Sequence, residues 1–308
     1  MKLQLIVNPR AGSGRAGRRI PQIERALAAH GISYQVSLTE RPRHATALAQ
    51  QARDTGFDTL AVVGGDGTIN EVAQAYLGPN GDVPTGPDLA LIPAGTGGDF
   101  RKTFDLADDV HTAVGRLHQA EPRPIDLGVV ELVNHSGDQQ VFAFINIMSF
   151  GMGGLVDELV NDGPKWLGGK AAFLLGTLRA TLSYKNAPVS LRVDGKTYLE
   201  TPILNVAICN GRFFGGGMQV APQADPSDGL FDVVAMCDLT RVQGIALARH
   251  IYRGSHLGRR QIELCRGQMV EALPLRKQDS VLVDLDGETP GKLPLKARIV
   301  KNALRIRA

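Results

Sequence analysis

Three times in the first third of the chain, a short apolar run ends in a glycine-rich loop that leads into a helical pattern. The loops read "NPRAGSGRAGRR" from Asn8, "GGDGTINEV" from Gly64 and "PAGTGGDF" from Pro93. Glycine lets backbone N–H groups come close to an anion, and the helix that follows aims its first amides at the same place. A chain patterned this way is an α/β sheet whose chemistry sits at the carboxyl ends of its strands. Strands are expected at Leu3–Val7, Ser33–Leu38, Thr59–Val63 and Leu89–Ile92, joined by helices to give a doubly wound, mostly parallel sheet.

After "AEPRP" the texture changes. Runs such as "DLGVVELV", "QQVFAFINIM", "VSLRVDG", "ILNVAICN" and "FDVVAMCDL" are separated by turn residues, the habit of antiparallel sheet, with helical stretches near Lys170–Ser183 and Val242–Tyr252. The fold class is therefore α/β plus β, with domains over 1–122 and 123–295. A length of 308 residues suits two domains. A hydrophobic share of 43% excludes extensive disorder, and a net charge of +3 is too small to argue for nucleic acid.

Cys209, Cys237 and Cys265 are odd in number and far apart, and read as reduced thiols of a cytoplasmic protein. The opening "MKLQLIVNPR" is too short for a signal peptide, and no apolar run reaches the roughly 18 residues of a membrane span. Contact with a membrane is expected to be peripheral. Exposed edges of the antiparallel sheet would offer a homodimer surface.

The glycines at 12, 14 and 17 have the spacing of a dinucleotide fingerprint, with Glu40 as its acidic partner. Against that reading, Asn8, Pro9, Arg10 and Ala11 separate the strand from the first glycine. In the next loop, Gly64, Gly65, Gly67 and Thr68 surround Asp66. A carboxylate beside polyphosphate makes sense if Mg²⁺ bridges the two. Gly95, Thr96, Gly97 and Gly98 add amides and a hydroxyl, and Asp99 or Thr96 caps the helix that follows. Arg15, Arg18 and Arg19 either meet phosphate or form a solvated helix start. Further on, "DLDGE" puts Glu288 after an Asp286–Gly287 turn, and "ADPSDGL" is rich in turn-forming Asp.

Together, "NPRAGSG", "GGDGTINEV", "PAGTGGDF", "IDLG", "GGGMQVAPQADPSDGLFDV" and "DLDGE" resemble, in this order, the motifs of the diacylglycerol kinase catalytic-domain family. The likeness extends to its bacterial soluble lipid kinases, related to diacylglycerol and sphingosine kinases, and spans nearly the whole chain. It implies an ATP-binding domain that includes a returning segment, 296–308, and a β-sandwich-like lipid-substrate domain. It implies ATP and Mg²⁺ as donor and cofactor, a lipid acceptor at the membrane surface, and Glu288 as general base. Asn8, Gly12, Arg15 and Thr39 would contact nucleotide. Asp228 would hold a structural metal through its side chain, with the carbonyls near Asp225 and Leu230 completing the site. One departure stands out: Gly98 occupies the place of the family's usual Asn, which would alter nucleotide affinity or substrate placement.

The lipid half is less legible. "NIMSFGMGGLVDELV" and "KWLGGKAAFLLGTLRATLSY", with Trp166, either line an acyl cleft or form ordinary core, and Lys165, Lys170, Arg179 and Lys185 beside them would face anionic lipid. Two other functions fit the same loops: an NAD kinase-like phosphotransferase, and a nucleotide-binding regulator that has lost transfer.

Overall fold

The computed structural model describes residues 1–95, 98–161 and 184–308. Thr96, the helix expected near Lys170–Ser183, Trp166, Lys165, Lys170 and Arg179 lie outside the described residues. The chain divides into two compact units, Met1–Leu127 with Val300–Ala308, and Gly128–Ile299.

In the first unit, β1 (Leu3–Val7), β2 (Tyr34–Leu38), β3 (Thr59–Gly64) and β4 (Asp88–Pro93) alternate with α1 (Ala11–Ala29), α2 (His44–Asp54) and α3 (Asp66–Gln74). Their order is β2-β1-β3-β4, all pairs parallel, and Ile306 and Arg307 of the C-terminal segment add a further parallel pairing against Leu89 and Ala90 of β4. Every residue of β1, β3 and β4 is buried, as in a sheet covered on both faces. Leu3, Leu5 and Val7 pack with Ala61, Val63, Ala90 and Ile92, and with Ile23, Ala26 and Leu27 of α1. After β4 come the short α4 (Asp99–Lys102) and α5 (Val110–Gln119). Asp109 caps α5 by accepting from the Thr112 amide at 2.7 Å.

The second unit carries β5 (Arg123–Asn134, from Gly128 onward), β6 (Gln139–Phe144), β7 (Ile147–Gly151), α6 (Met152–Asn161), β8 (Ala187–Val193), β9 (Lys196–Cys209) and β10 (Phe231–Cys237). It continues with α7 (Arg241–Ile251), β11 (Ile262–Gly267), β12 (Met269–Pro274), β13 (Leu282–Leu285) and β14 (Glu288–Arg307, to Ile299). The pairing is antiparallel and closes a circuit: β8 with β12, β12 with β14, β14 with β13, β13 with β7, β7 with β9 and β9 with β8. Inside lie Phe144 and Phe231, stacked at 5.4 Å between ring centroids, with Phe150, Val206, Val233 and Val283. "QQVFAFINIM" is two strands rather than one, because the chain turns at Ile145 and Asn146 to meet a carboxylate described below.

Candidate active site

In the first unit, β1 and β3 are neighbours from which the chain departs to opposite sides, so the strand order reverses between them. A crevice at such a point is where open α/β sheets bind ligands. The loop after β1 is fixed to the end of β3 by the Asn8 amide, which donates to the Val63 carbonyl at 3.0 Å. Asn8 Nδ2 also donates to Thr68 Oγ1 at 3.3 Å, and its Oδ1 accepts from the Arg10 amide at 3.1 Å. Thr39 sits buried after β2, its amide donating to the Val7 carbonyl at 2.8 Å.

The glycines are needed because the three loops touch backbone to backbone. A Cβ on Gly12 would lie 2.4 Å from the Ala94 carbonyl oxygen and one on Gly95 would lie 2.3 Å from Gly65 Cα, while one on Gly64 would meet the Thr68 side chain, 2.5 Å from its Oγ1. No side chain fits such separations. Gly12, Ser13 and Gly14 take left-handed φ values of 60°, 55° and 82°, which interrupts α1 at its start and keeps the loop off a regular helical path. Gly67 is exposed, with nothing within 4 Å of where its Cβ would stand, so the first turn of α3 has an open side.

Side chains lock this arrangement. Arg15 Nε donates to the Ala94 carbonyl at 3.3 Å, another of its nitrogens donates to the Gly95 carbonyl, and Arg19 donates to the Pro93 carbonyl at 2.5 Å. Both guanidinium groups pair with Asp108, at 3.3 and 2.9 Å. The two arginines thus hold the end of β4. Asp108 had no signal in the sequence, since it meets them only through the fold.

Asp66 accepts the Asp99 amide at 2.9 Å and the Phe100 amide at 3.0 Å, one on each carboxylate oxygen. It therefore caps α4 from a different loop and joins the second and third glycine loops. Loss of hydration, then the charge of Asp99, push its carboxyl above the ordinary carboxylate value, although both amides and Lys102 pull the other way. Asp99 itself is buried and bonded to Lys102 Nζ at 2.6 Å. Each Asp66 oxygen keeps lone-pair capacity beyond its one amide, so its donor chemistry fits a Mg²⁺ that arrives with a polyphosphate.

In the second unit, the β13–β14 hairpin presents Glu288 exposed, beside a turn made by Asp286 and Gly287, both left-handed at φ 51° and 92°. Asp286 accepts three backbone amides, from Ile145 at 2.9 Å, Asn146 at 3.2 Å and Ile147 at 2.8 Å. Asp284, buried, accepts from Ser149 Oγ at 3.2 Å and from the Gly287 amide at 2.8 Å. Two braced carboxylates thus fix the backbone on which Glu288 stands.

The loop expected to hold a metal is arranged otherwise. Asp228 pairs with the Arg266 guanidinium, whose Nε also reaches Asp232 at 3.3 Å, and the Asp225 carboxylate is turned onto the Ser227 amide and hydroxyl at 3.0 and 2.6 Å. Leu230 donates its amide to Asp228 at 2.9 Å. Arg266 is thus the counter-charge of both Asp228 and Asp232 here. Among the described residues, no group of three or more His, Cys, Asp or Glu is placed to hold one. Burial raises the Asp232 carboxyl above its ordinary value even with Arg266 beside it.

Residues 2–130 match the diacylglycerol kinase catalytic domain, and residues 146–308, more than half of the chain, match the YegS C-terminal NAD kinase beta sandwich-like domain. The chain belongs to the family of the YegS C-terminal NAD kinase beta sandwich-like domain, here preceded by a match to the diacylglycerol kinase catalytic domain. It is an enzyme of the kinase class on that footing. A Bacillus subtilis (strain 168) protein named diacylglycerol kinase is 29% identical over 298 residues, 95% of this chain and 91% of the relative. A Stenotrophomonas maltophilia (strain K279a) protein named probable lipid kinase YegS-like is 29% identical over 270 residues, 87% of this chain and 82% of the relative. Among solved structures, a diacylglycerol kinase from Bacillus anthracis str. Sterne superposes with a TM-score of 0.71 at 20% identity, covering 99% of this chain and 96% of that one. An NAD kinase from Archaeoglobus fulgidus, solved in complex with ATP, superposes at 0.53 with 15% identity, covering 99% of this chain and 92% of that one. Both likenesses are of fold. This chain thus shares the architecture of an NAD kinase as well as that of a diacylglycerol kinase.

Proposed function

We propose that the protein transfers the γ-phosphoryl group of ATP to a lipid hydroxyl, with diacylglycerol as acceptor and phosphatidic acid as product. The observation that carries this reading is the backbone contact among three glycine loops at Gly12, Gly65 and Gly95, where a Cβ on Gly12 or Gly95 would stand within 2.4 Å of a neighbouring loop. Loops packed this closely present amides rather than side chains, which suits the phosphates of a nucleotide. Relatives named for diacylglycerol and lipid kinase activity support the acceptor.

Phosphoryl transfer asks mainly for positioning, charge neutralisation and an oriented nucleophile. Asn8, Gly12, Gly64, Gly65, Gly67, Thr68 and Gly95 line the donor side, with Arg15 and Arg19 fixing the loop after β4 and Thr39 and Asp99 beside it. Mg²⁺ bound with ATP would neutralise phosphate charge, held through Asp66. Glu288 takes the proton of the acceptor hydroxyl as the acceptor oxygen bonds to the γ-phosphorus and the bond to the β–γ bridging oxygen breaks, releasing ADP. The enzyme would meet its lipid from the membrane surface; no helix among the described residues is long and apolar enough to cross one.

The test is transfer of label from [γ-³²P]ATP to a panel of lipids, with NAD as a parallel acceptor. Labelled phosphatidic acid is expected. Label in NAD alone would move the assignment to the NAD kinases, and ATP binding without transfer to any acceptor would favour a regulator.

A further inference from the structure

We propose that α7 and the loop after it, residues 241–260, form the face by which the second unit docks on an anionic phospholipid surface. The inference rests on the lipid kinase reading, since an acceptor held in a bilayer obliges the enzyme to meet that bilayer. Its evidence is independent of the glycine loops.

Helix α7 is seated on its unit by Leu247 and Ile251, each 6% exposed, and by Gly244, where a Cβ would come within 3.1 Å of Leu204 Cδ2. The other face should be polar if water were its only neighbour. Instead Val242 is 77% exposed, Ile245 59% and Tyr252 50%, the first two being the largest exposures among the described large hydrophobic side chains. Positions 242, 245, 249 and 252 recur at helical spacing, so Val242, Ile245, Arg249 and Tyr252 share one stripe. The helix start is secured by a capping box between Thr240 and Gln243, so the stripe is presented on a firm element.

Basic groups surround these apolar tips. Arg249, Arg253, Arg259 and Arg260 are all exposed. Among the described residues, none of the four is in an ion pair. Arg249 Nε donates to His250 Nε2 at 3.3 Å, and Arg259 lies 3.0 and 3.1 Å from the same ring's nitrogens, so the arginines form one patch rather than scattered charges. Loss of hydration, then Arg259, Arg249 and Arg253, hold the His250 ring below its ordinary value, which is the signature of that shared field.

A protein partner would call for a contiguous apolar centre. Here a narrow apolar stripe, Val242, Ile245 and Tyr252, runs into a cluster of guanidinium groups at the helix end, the composition of an interfacial helix whose apolar side chains enter the acyl boundary while arginines stay with phosphate headgroups. Charge complementarity selects an anionic surface, where each arginine adds roughly fivefold to partitioning.

Sedimentation with vesicles of phosphatidylcholine and phosphatidylglycerol, against phosphatidylcholine alone, tests this in the intact protein. Wild type should bind the anionic vesicles only, and less in high salt because surface charge is screened. Val242→Asp with Ile245→Asp, and separately Arg249→Glu with Arg253→Glu, should each cut binding by about tenfold or more, with unchanged thermal melting and unchanged phosphorylation of a short-chain, water-soluble diacylglycerol. Vesicle binding equal to wild type in both variants, equal binding to phosphatidylcholine alone, or a dimer broken by Ile245→Asp without vesicle binding would overturn the proposal. Phosphorylation of the soluble lipid without vesicle binding would overturn docking alone. Vesicle binding by wild type with no lipid phosphorylated would support docking and overturn the kinase reading.

Discussion

At Gly95 one hydrogen atom decides whether the loops can meet. A Cβ there would stand 2.3 Å from Gly65 Cα, and backbone cannot swing aside as a long side chain can. Gly95→Ala should therefore destabilise the first unit by about 1–3 kcal/mol and raise the KM for ATP. Denaturant melts and initial rates check both, and an unchanged KM would detach the loop contact from nucleotide binding. Gly98 is the contrasting case. Its φ of 62° is left-handed, where glycine and asparagine are both tolerated, and its Cβ would meet only Arg101 Nε at 2.7 Å, on a flexible side chain. Gly98→Asn should fold with an unchanged Tm and lower the KM for ATP, because it restores an amide without moving the backbone. An unchanged KM would mean that the departure from the family pattern carries no consequence for the donor.

Among the elements, the paired strands β10 and β11 are tied at one end by an ion-pair cluster. Arg266 joins Asp228 to Asp232, and Asp232 is only 4% exposed at its side chain while Arg266 is 42% exposed. Removing the cation leaves a buried carboxylate uncompensated, so Arg266→Met should cost about 1–3 kcal/mol, less than a fully buried pair because water screens one side. A chelator should leave Tm unchanged; a large fall on chelation would restore a metal to this loop. The same strands carry Cys237 and Cys265, whose thiols burial pushes up to about 11 from an ordinary 9.0. At pH 8 their thiolate fraction falls by about a hundredfold, and alkylation of the folded protein should slow accordingly relative to unfolded chain. Folding raises these values, so the native state binds the protons more tightly. Their contribution to stability is full below pH 9 and is lost as pH rises towards about 11, which urea melts at pH 8 and 10.5 can read.

Across the whole molecule, what could be read from the chain was what local chemistry determines. Mostly apolar runs identified β1, β3 and β4, and glycine clusters identified the loops at their ends, because both signals lie within a few consecutive residues. Long-range partners were out of reach. Asp108 meets Arg15 and Arg19 across 93 and 89 residues, Arg266 meets Asp228 across 38, and Asp286 gathers amides about 140 positions away. Strands β11 and β12 were also missed, since their half-exposed patterns blur the alternation that marks a strand. The closed circuit of strands in the second unit follows from pairings no single segment encodes. The central claim has two parts: a donor side built by the glycine loops, and a base at Glu288. It is tested most directly by comparing wild type with Glu288→Gln for transfer of label from [γ-³²P]ATP to diacylglycerol, with ATP binding measured in parallel. The prediction is labelled phosphatidic acid from wild type and a loss of about a thousandfold in the variant, at unchanged ATP affinity. A variant as fast as wild type, or a wild type that binds ATP and phosphorylates no lipid, would contradict it.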